Sequence, residues 1–192
     1  MADQETDGTV TQVTDCAIVG AQTGAVPTTA SGEPIAARRA PLVFLRFRPT
    51  WDHIHGIREF GRTFCTTALG SPEAAERARI ILQELLEIAL RHRTALPEAE
   101  LELELVLGDG RVEVAVTQRA DPALKLELEG AVARVNASVP EAAYIDALLS
   151  PRFGREAGAY LGLARLRLEG KAELTLGVLH DGRIRLQARE QP

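Results

Sequence analysis

The sequence predicts an α+β fold: a two-layer sandwich with a mixed, mostly antiparallel sheet covered on one face by helices. Three observations carry this. Two stretches alternate apolar and polar residues across an Asp-Gly pair, at Asp109-Gly110 and Asp181-Gly182, the signature of β-hairpins. One long amphipathic helix is expected from Ser71 to about Arg93. Finally, runs of helix alternate with antiparallel pairs, where a parallel sheet would need single strands separated by helices.

The first 40 residues are rich in Thr, Ala, Gly, Asp and Pro and have no sustained periodicity. They are expected to form a disordered or loosely docked tail, residues 1–40, ahead of one domain over 41–190. Within the tail, the short stretch Cys16-Ala17-Ile18-Val19 is suited to an edge strand or a partner contact. Leu42–Phe47 (LVFLRF) reads as the first strand, broken by Pro49. Thr50 is placed to cap a helix from Trp51 to about Ala68, whose Ile54, Ile57, Phe60 and Phe64 define an apolar face.

The next helix has the clearest start. Ser71 is a good N-cap, Pro72 suits the first helical position, and Glu73 suits the positive end of the helix dipole. Ile81, Leu85, Ile88, Ala89 and His92 share one face, with Gln83, Glu87 and Arg91 spaced to pair on the other. The first hairpin follows, with strands Leu101–Leu107 and Val112–Val116. Three helices come next: Asp121 to about Val135, Pro140 to about Leu149, and Arg155–Leu168. The second hairpin, Glu173–Leu179 and Arg183–Ala188, closes the domain.

Composition narrows the function classes. Of 192 residues, 45% are hydrophobic and 4% aromatic, so the core must be built mainly of Leu, Val, Ile and Ala. The formal net charge of −5, with Arg38-Arg39 and Arg46/Arg48 as isolated basic pairs, argues against a nucleic-acid partner. No apolar run reaches the roughly 20 residues of a membrane span. The two cysteines, Cys16 and Cys65, imply no disulfide framework. The N-terminus lacks the basic start and apolar core of a secretion signal, so a cytoplasmic location is expected. His53 and His55 are two residues apart, which on a helix turns them to different faces, so a metal site is not expected.

One constellation bears on chemistry. The segment Glu84-Leu85-Leu86-Glu87-Ile88-Ala89-Leu90-Arg91-His92 resembles the N-box of the GHKL ATPase superfamily, Glu-Leu-x-x-Asn-Ala-x-x-His. Glu84, Leu85, Ala89 and His92 match, and Ile88 stands where the family has Asn. The order of elements over about residues 42–189 is also that of the family. The run Gly162-Leu163-Ala164-Arg165, then Glu169-Gly170, then two strands, is most similar to small bacterial regulators of the SiaB-type and anti-sigma-factor-kinase kind. The resemblance implies a Bergerat-like fold. It also implies an ATP site in which Glu84 activates water and the residue at position 88 holds Mg²⁺.

The departures from the family pattern argue against that activity. Ile88 offers no oxygen to a hard cation. Asp121 stands near the position that recognises adenine, but Pro122 follows it where the family has permissive glycines, and Asp121 is better explained as the cap of the next helix. The phosphate-cradling run Gly-x-Gly-Leu-Gly-Leu is represented by Gly158-Ala159-Tyr160-Leu161-Gly162-Leu163, and the ring of Tyr160 is expected to take up space that phosphates need.

The reading is therefore a non-catalytic GHKL-like interaction or regulatory module in bacterial partner-switching, with no cofactor. Its degenerate ATP-site positions are Glu84, Ile88, Asp121, Gly158, Tyr160 and Gly162. Its partner is a protein, a second copy among the options, and the surface suited to it is the helix carrying Trp51, Arg58 and Arg62. Two alternatives stay open. One is an ATP- and Mg²⁺-dependent Ser/Thr protein kinase of the anti-sigma-factor type, using Glu84 and Asp121. The other is a structural or cargo component docked through residues 1–40.

Overall fold

The computed structural model describes residues 43–91, 99–108, 111–120, 122–149 and 155–191. The expected tail 1–40, the Asp109-Gly110 turn, His92 and Asp121 lie outside the described residues. The elements are β1 (Val43–Phe47), α1 (Trp51–Leu69), α2 (Pro72–Arg91), β2 (Leu101–Gly108), β3 (Arg111–Arg119), α3 (Pro122–Ala137), α4 (Pro140–Leu149), α5 (Arg155–Leu168), β4 (Ala172–Val178) and β5 (Arg183–Glu190).

The five strands form one sheet in the order β1-β2-β3-β5-β4. Every pairing among them is antiparallel, so the expected mixed sheet is an antiparallel one. The alternation along each strand sets which side faces the core. Leu101, Leu103 and Leu105 on β2, Val112, Val114 and Val116 on β3, and Ile184, Leu186 and Ala188 on β5 are all buried. The other sheet face is roofed by ion pairs. Arg46 reaches Glu102 at 2.6 Å, Arg183 reaches Glu102 at 2.8 Å, and Arg185 pairs with Glu104. These long side chains lean over β3, whose Ala115 and Thr117 are small enough to be buried beneath them.

The helices cover the opposite face in a row. α1 packs on α2, α2 on α5, and α3 on α5 and β4, while α2 lies over β3. α2 is therefore the central helix. It buries Ala74, Ala75, Ala78, Ile81, Leu82, Leu85, Leu86, Ile88, Ala89 and Leu90, far more than one stripe. The Ser71 hydroxyl accepts the Ala74 N–H at 3.2 Å, the N-cap expected from the sequence. Thr50 holds the N-cap position of α1 in extended backbone, but its side chain makes no capping hydrogen bond. α1 ends at Gly70, whose φ of 63° is the left-handed C-cap conformation glycine adopts without strain.

The expected apolar face of α1 is rotated. Ile54, Gly61 and Cys65 are buried, whereas Phe60 is 47% exposed and stacks on Phe64 with ring centroids 5.8 Å apart. The cause is Gly61, which is where α2 comes closest. A Cβ there would sit 2.0 Å from Leu82 Cδ1. The helix turns its missing side chain inward, and that carries Phe60 out.

Candidate functional site

Glu84 is the one N-box carboxylate within the core. It projects from α2 toward α5 and is only 6% exposed. The structure buries it because α5 crosses directly over it. That crossing is close because Gly162 faces it: a Cβ on Gly162 would lie 3.0 Å from Glu84 Oε2 and 3.2 Å from Ile88 Cδ1. Gly162 thus serves helix–helix approach.

Arg165, one turn further along α5, donates from Nη1 to Glu84 Oε1 at 2.5 Å. Its Nε and Nη2 are both taken by Glu169, at 3.2 and 2.9 Å. Burial pushes the Glu84 carboxyl up to about 7, against the opposing pull of Arg165, with Glu87 and Glu169 adding to the rise. Glu84 is therefore a desolvated acid held by a fixed guanidinium.

Beside this pair lies a cavity of about 120 Å³, lined by Glu84, Glu87, Ile88, Arg91, Leu161, Gly162 and Arg165. Ligand pockets for drug-sized molecules run from roughly 300 to 1,000 Å³, so the space bounded by these residues is of the size of a few waters. Ile88, 2% exposed, forms part of its apolar wall. Position 88 offers only hydrocarbon at the place where the family resemblance puts a metal ligand.

Tyr160 does not fill this cavity, contrary to expectation. It is buried on the other side of α5, where its hydroxyl donates to Asp146 Oδ2 on α4 at 2.7 Å. The Arg134 guanidinium of α3 stacks 4.6 Å from the ring centroid and pairs with the same Asp146 at 2.5 Å. Tyr160 therefore ties α3, α4 and α5 together. Successive residues of a helix point about 100° apart, so Gly162, two positions on, can face α2 while Tyr160 faces away. Gly158, Tyr160 and Gly162 all lie within α5. The backbone N–H groups of Tyr160 and Gly162 are past the first turn of α5, where the helix itself takes them up.

The outer surface of α1 and α2 carries a continuous polar seam. Arg91 lies 5.9 Å from the Trp51 ring centroid and bonds Glu87 at 3.0 Å. Gln83 donates to Glu87 at 3.0 Å, and its carbonyl accepts from Arg58 at 3.3 Å and Arg79 at 3.2 Å. Of the three residues singled out on α1, Trp51 is 57% exposed. Arg62 is exposed and bonds Glu59 at 3.1 Å, while Arg58 is three-quarters covered and bound to Gln83 and His55. The structure brings Trp51 and Arg58 into the seam and leaves Arg62 outside it. Phe60 is an exposed aromatic that the periodicity had assigned to the core.

The remaining candidates separate in space. His53 packs its ring edge against Phe47, and His55 bonds Arg58. Cys65 is fully buried, and burial, with Glu190 nearby, pushes its thiol up to about 11, which removes it as a nucleophile. Asp181 accepts the Arg183 N–H at 3.0 Å in its turn. Among the described residues, no three His, Cys, Asp or Glu side chains are grouped to hold a metal, and no helix is long and apolar enough to cross a membrane.

No family model matches the sequence, and no curated protein matches it significantly. The fold does have a solved counterpart. A chain in the crystal structure of the SiaB–SiaC complex from Pseudomonas aeruginosa superimposes with a TM-score of 0.60 at 16% sequence identity, covering 80% of this chain and 92% of that one. At this identity the likeness is one of fold: the five-stranded antiparallel sheet with its helical layer is similar to that of a chain from this complex.

Proposed function

We propose that this chain is a non-catalytic GHKL-like module that regulates by binding another protein, in bacterial signalling of the partner-switching type. The observation that carries the reading is the constricted site at Glu84. Arg165 holds the carboxylate at 2.5 Å, Ile88 replaces an oxygen ligand with hydrocarbon, and the adjoining cavity is about 120 Å³. A general base needs access to the water it activates, and a hydrolytic site needs a polarised phosphate for that water to attack. The second requirement is not met, because Ile88 offers hydrocarbon where a metal that polarises the phosphate needs an oxygen ligand. The fold likeness to a chain of a two-protein complex supports a protein partner. So do the exposed aromatic and basic side chains of α1, with Trp51 and Arg62 on one face and Phe60 on the other, residue types that anchor interfaces.

One observation favours the kinase alternative: a carboxyl raised to about 7 lies in the range where a general base works best. Incubation of the full chain with ATP and Mg²⁺ separates the two readings. The expected result is no phosphate release and no phosphoprotein above the protein-free blank. Turnover that is lost in Glu84→Gln would establish the alternative.

A further inference from the structure

The two edges of the sheet are treated differently. At β4, α3 packs against the strand, and Asn136 Nδ2 donates to the Leu174 carbonyl at 2.9 Å. At β1, no strand, helix or side chain among the described residues is bonded along the outer edge. Proteins usually blunt such an edge with proline, a bulge or outward charge. β1 reads Val-Phe-Leu-Arg-Phe, and its one charge, Arg46, is held by Glu102 at 2.6 Å.

The strand also complements itself. Val43, Leu45 and Phe47 face the helical layer, and Phe44 and Arg46 lie on the open face. In an antiparallel pair about a two-fold axis at Leu45, Leu45 meets Leu45 of the other copy and Val43 meets Phe47. On the open face Phe44 meets Arg46, twice by symmetry. Aromatic and β-branched pairs are favoured across strands, and a guanidinium against a phenyl ring is a cation–π contact. Each Arg46 would keep Glu102 on one side and gain an aromatic ring on the other.

We propose that β1 pairs with β1 of a second copy in this register, so that the two sheets continue as one. Two five-residue strands alone bury less than the about 800 Å² per partner typical of a stable interface. The helical layer supplies the rest. α1 is the last helix in the row on the β1 side, and its exposed Phe60, half a turn round the helix from Trp51 and the seam with α2, is the aromatic side chain that comes against the other copy. This deepens the interaction half of the function proposed above by naming the partner, and it is independent of the catalytic half. Nucleotide turnover would overturn that reading and leave this one standing, whereas a monomeric chain would do the reverse.

The test is light scattering coupled to gel filtration on the full chain at micromolar concentration. Wild type is expected at twice the mass of one chain. Phe44→Lys sets lysine against Arg46 of the other copy at two symmetric positions. It is expected to weaken the dimer about tenfold or more. Within its own chain position 44 faces Glu104, so the fold accepts the lysine. Arg46→Glu is likewise expected to yield monomer. An equal mixture of the two variants is expected to recover a heterodimer. There the introduced lysine faces the introduced glutamate, and the remaining Arg46 faces the remaining Phe44, so both contacts are favourable. Circular dichroism checks each variant for folding, and Phe44→Lys carries the test by itself if Arg46→Glu, which faces Glu102, does not fold. A monomeric wild type overturns the proposal, as does a dimer indifferent to Phe44→Lys.

Discussion

Glu84 makes a sharp prediction about stability and pH. Its carboxyl rises from 4.5 to about 7 on folding, mainly through burial, against the attraction of Arg165. Between those values the folded state binds a proton that the unfolded state does not. The stability contributed by that proton is therefore fully present below pH 4.5 and is lost as pH rises through 7. Each pKa unit corresponds to about 1.4 kcal/mol, and allowing for the partly exposed guanidinium the loss is on the order of 2 kcal/mol. Urea denaturation across this window measures it. Subtracting the curve for Glu84→Gln isolates the site, because Glu59, Glu76 and Asp181, whose pKa values are lowered, titrate alike in both proteins. Glutamine resembles the protonated acid. The variant should match wild type near pH 4.5 and exceed it near pH 8 by that amount. A variant less stable than wild type at pH 8 would refute the reasoning, since it would mean that the ion pair with Arg165 outweighs the cost of burying the charge.

Four substitutions probe the packing. Gly61→Ala puts a methyl 2.0 Å from Leu82 Cδ1 in a fully buried setting and should cost about 1 to 3 kcal/mol in chemical denaturation. Gly56→Ala, in the same helix with nothing within 4 Å, should instead stabilise by up to about 1 kcal/mol through helix propensity. Tyr160→Phe removes the hydrogen bond to Asp146 and should cost about 1 kcal/mol in the same assay, without creating nucleotide binding. Ile88→Asn places an amide in an apolar wall and should cost about 1 to 3 kcal/mol, again without a calorimetric signal for ATP and Mg²⁺.

The sheet and the order of elements were legible because their signals are local. Alternation in Leu101–Leu107, the Asp-Gly turns and the Ser71-Pro72 cap each act within a few residues. The errors came from contacts made at a distance. Gly61 has no side chain to register in an apolar pattern, and its meaning depends on Leu82 in the next helix. Phe60 fitted an apolar period because periodicity counts side chains and cannot count the glycine that sets the true contact line. Glu84 was visible as a motif residue. Its burial was not, because its partner Arg165 lies 81 residues away. Tyr160 was read as an obstruction from a motif alignment, whereas its direction is set by Asp146 and Arg134 on two other helices.

The central claim is that the site around Glu84 no longer accepts a nucleotide. Isothermal titration of the full chain with ATP in the presence of Mg²⁺ tests it most directly. The account predicts no saturable heat at sub-millimolar concentration, and the same flat trace for Glu84→Gln. Saturable binding in that range, weakened by Glu84→Gln, would contradict it.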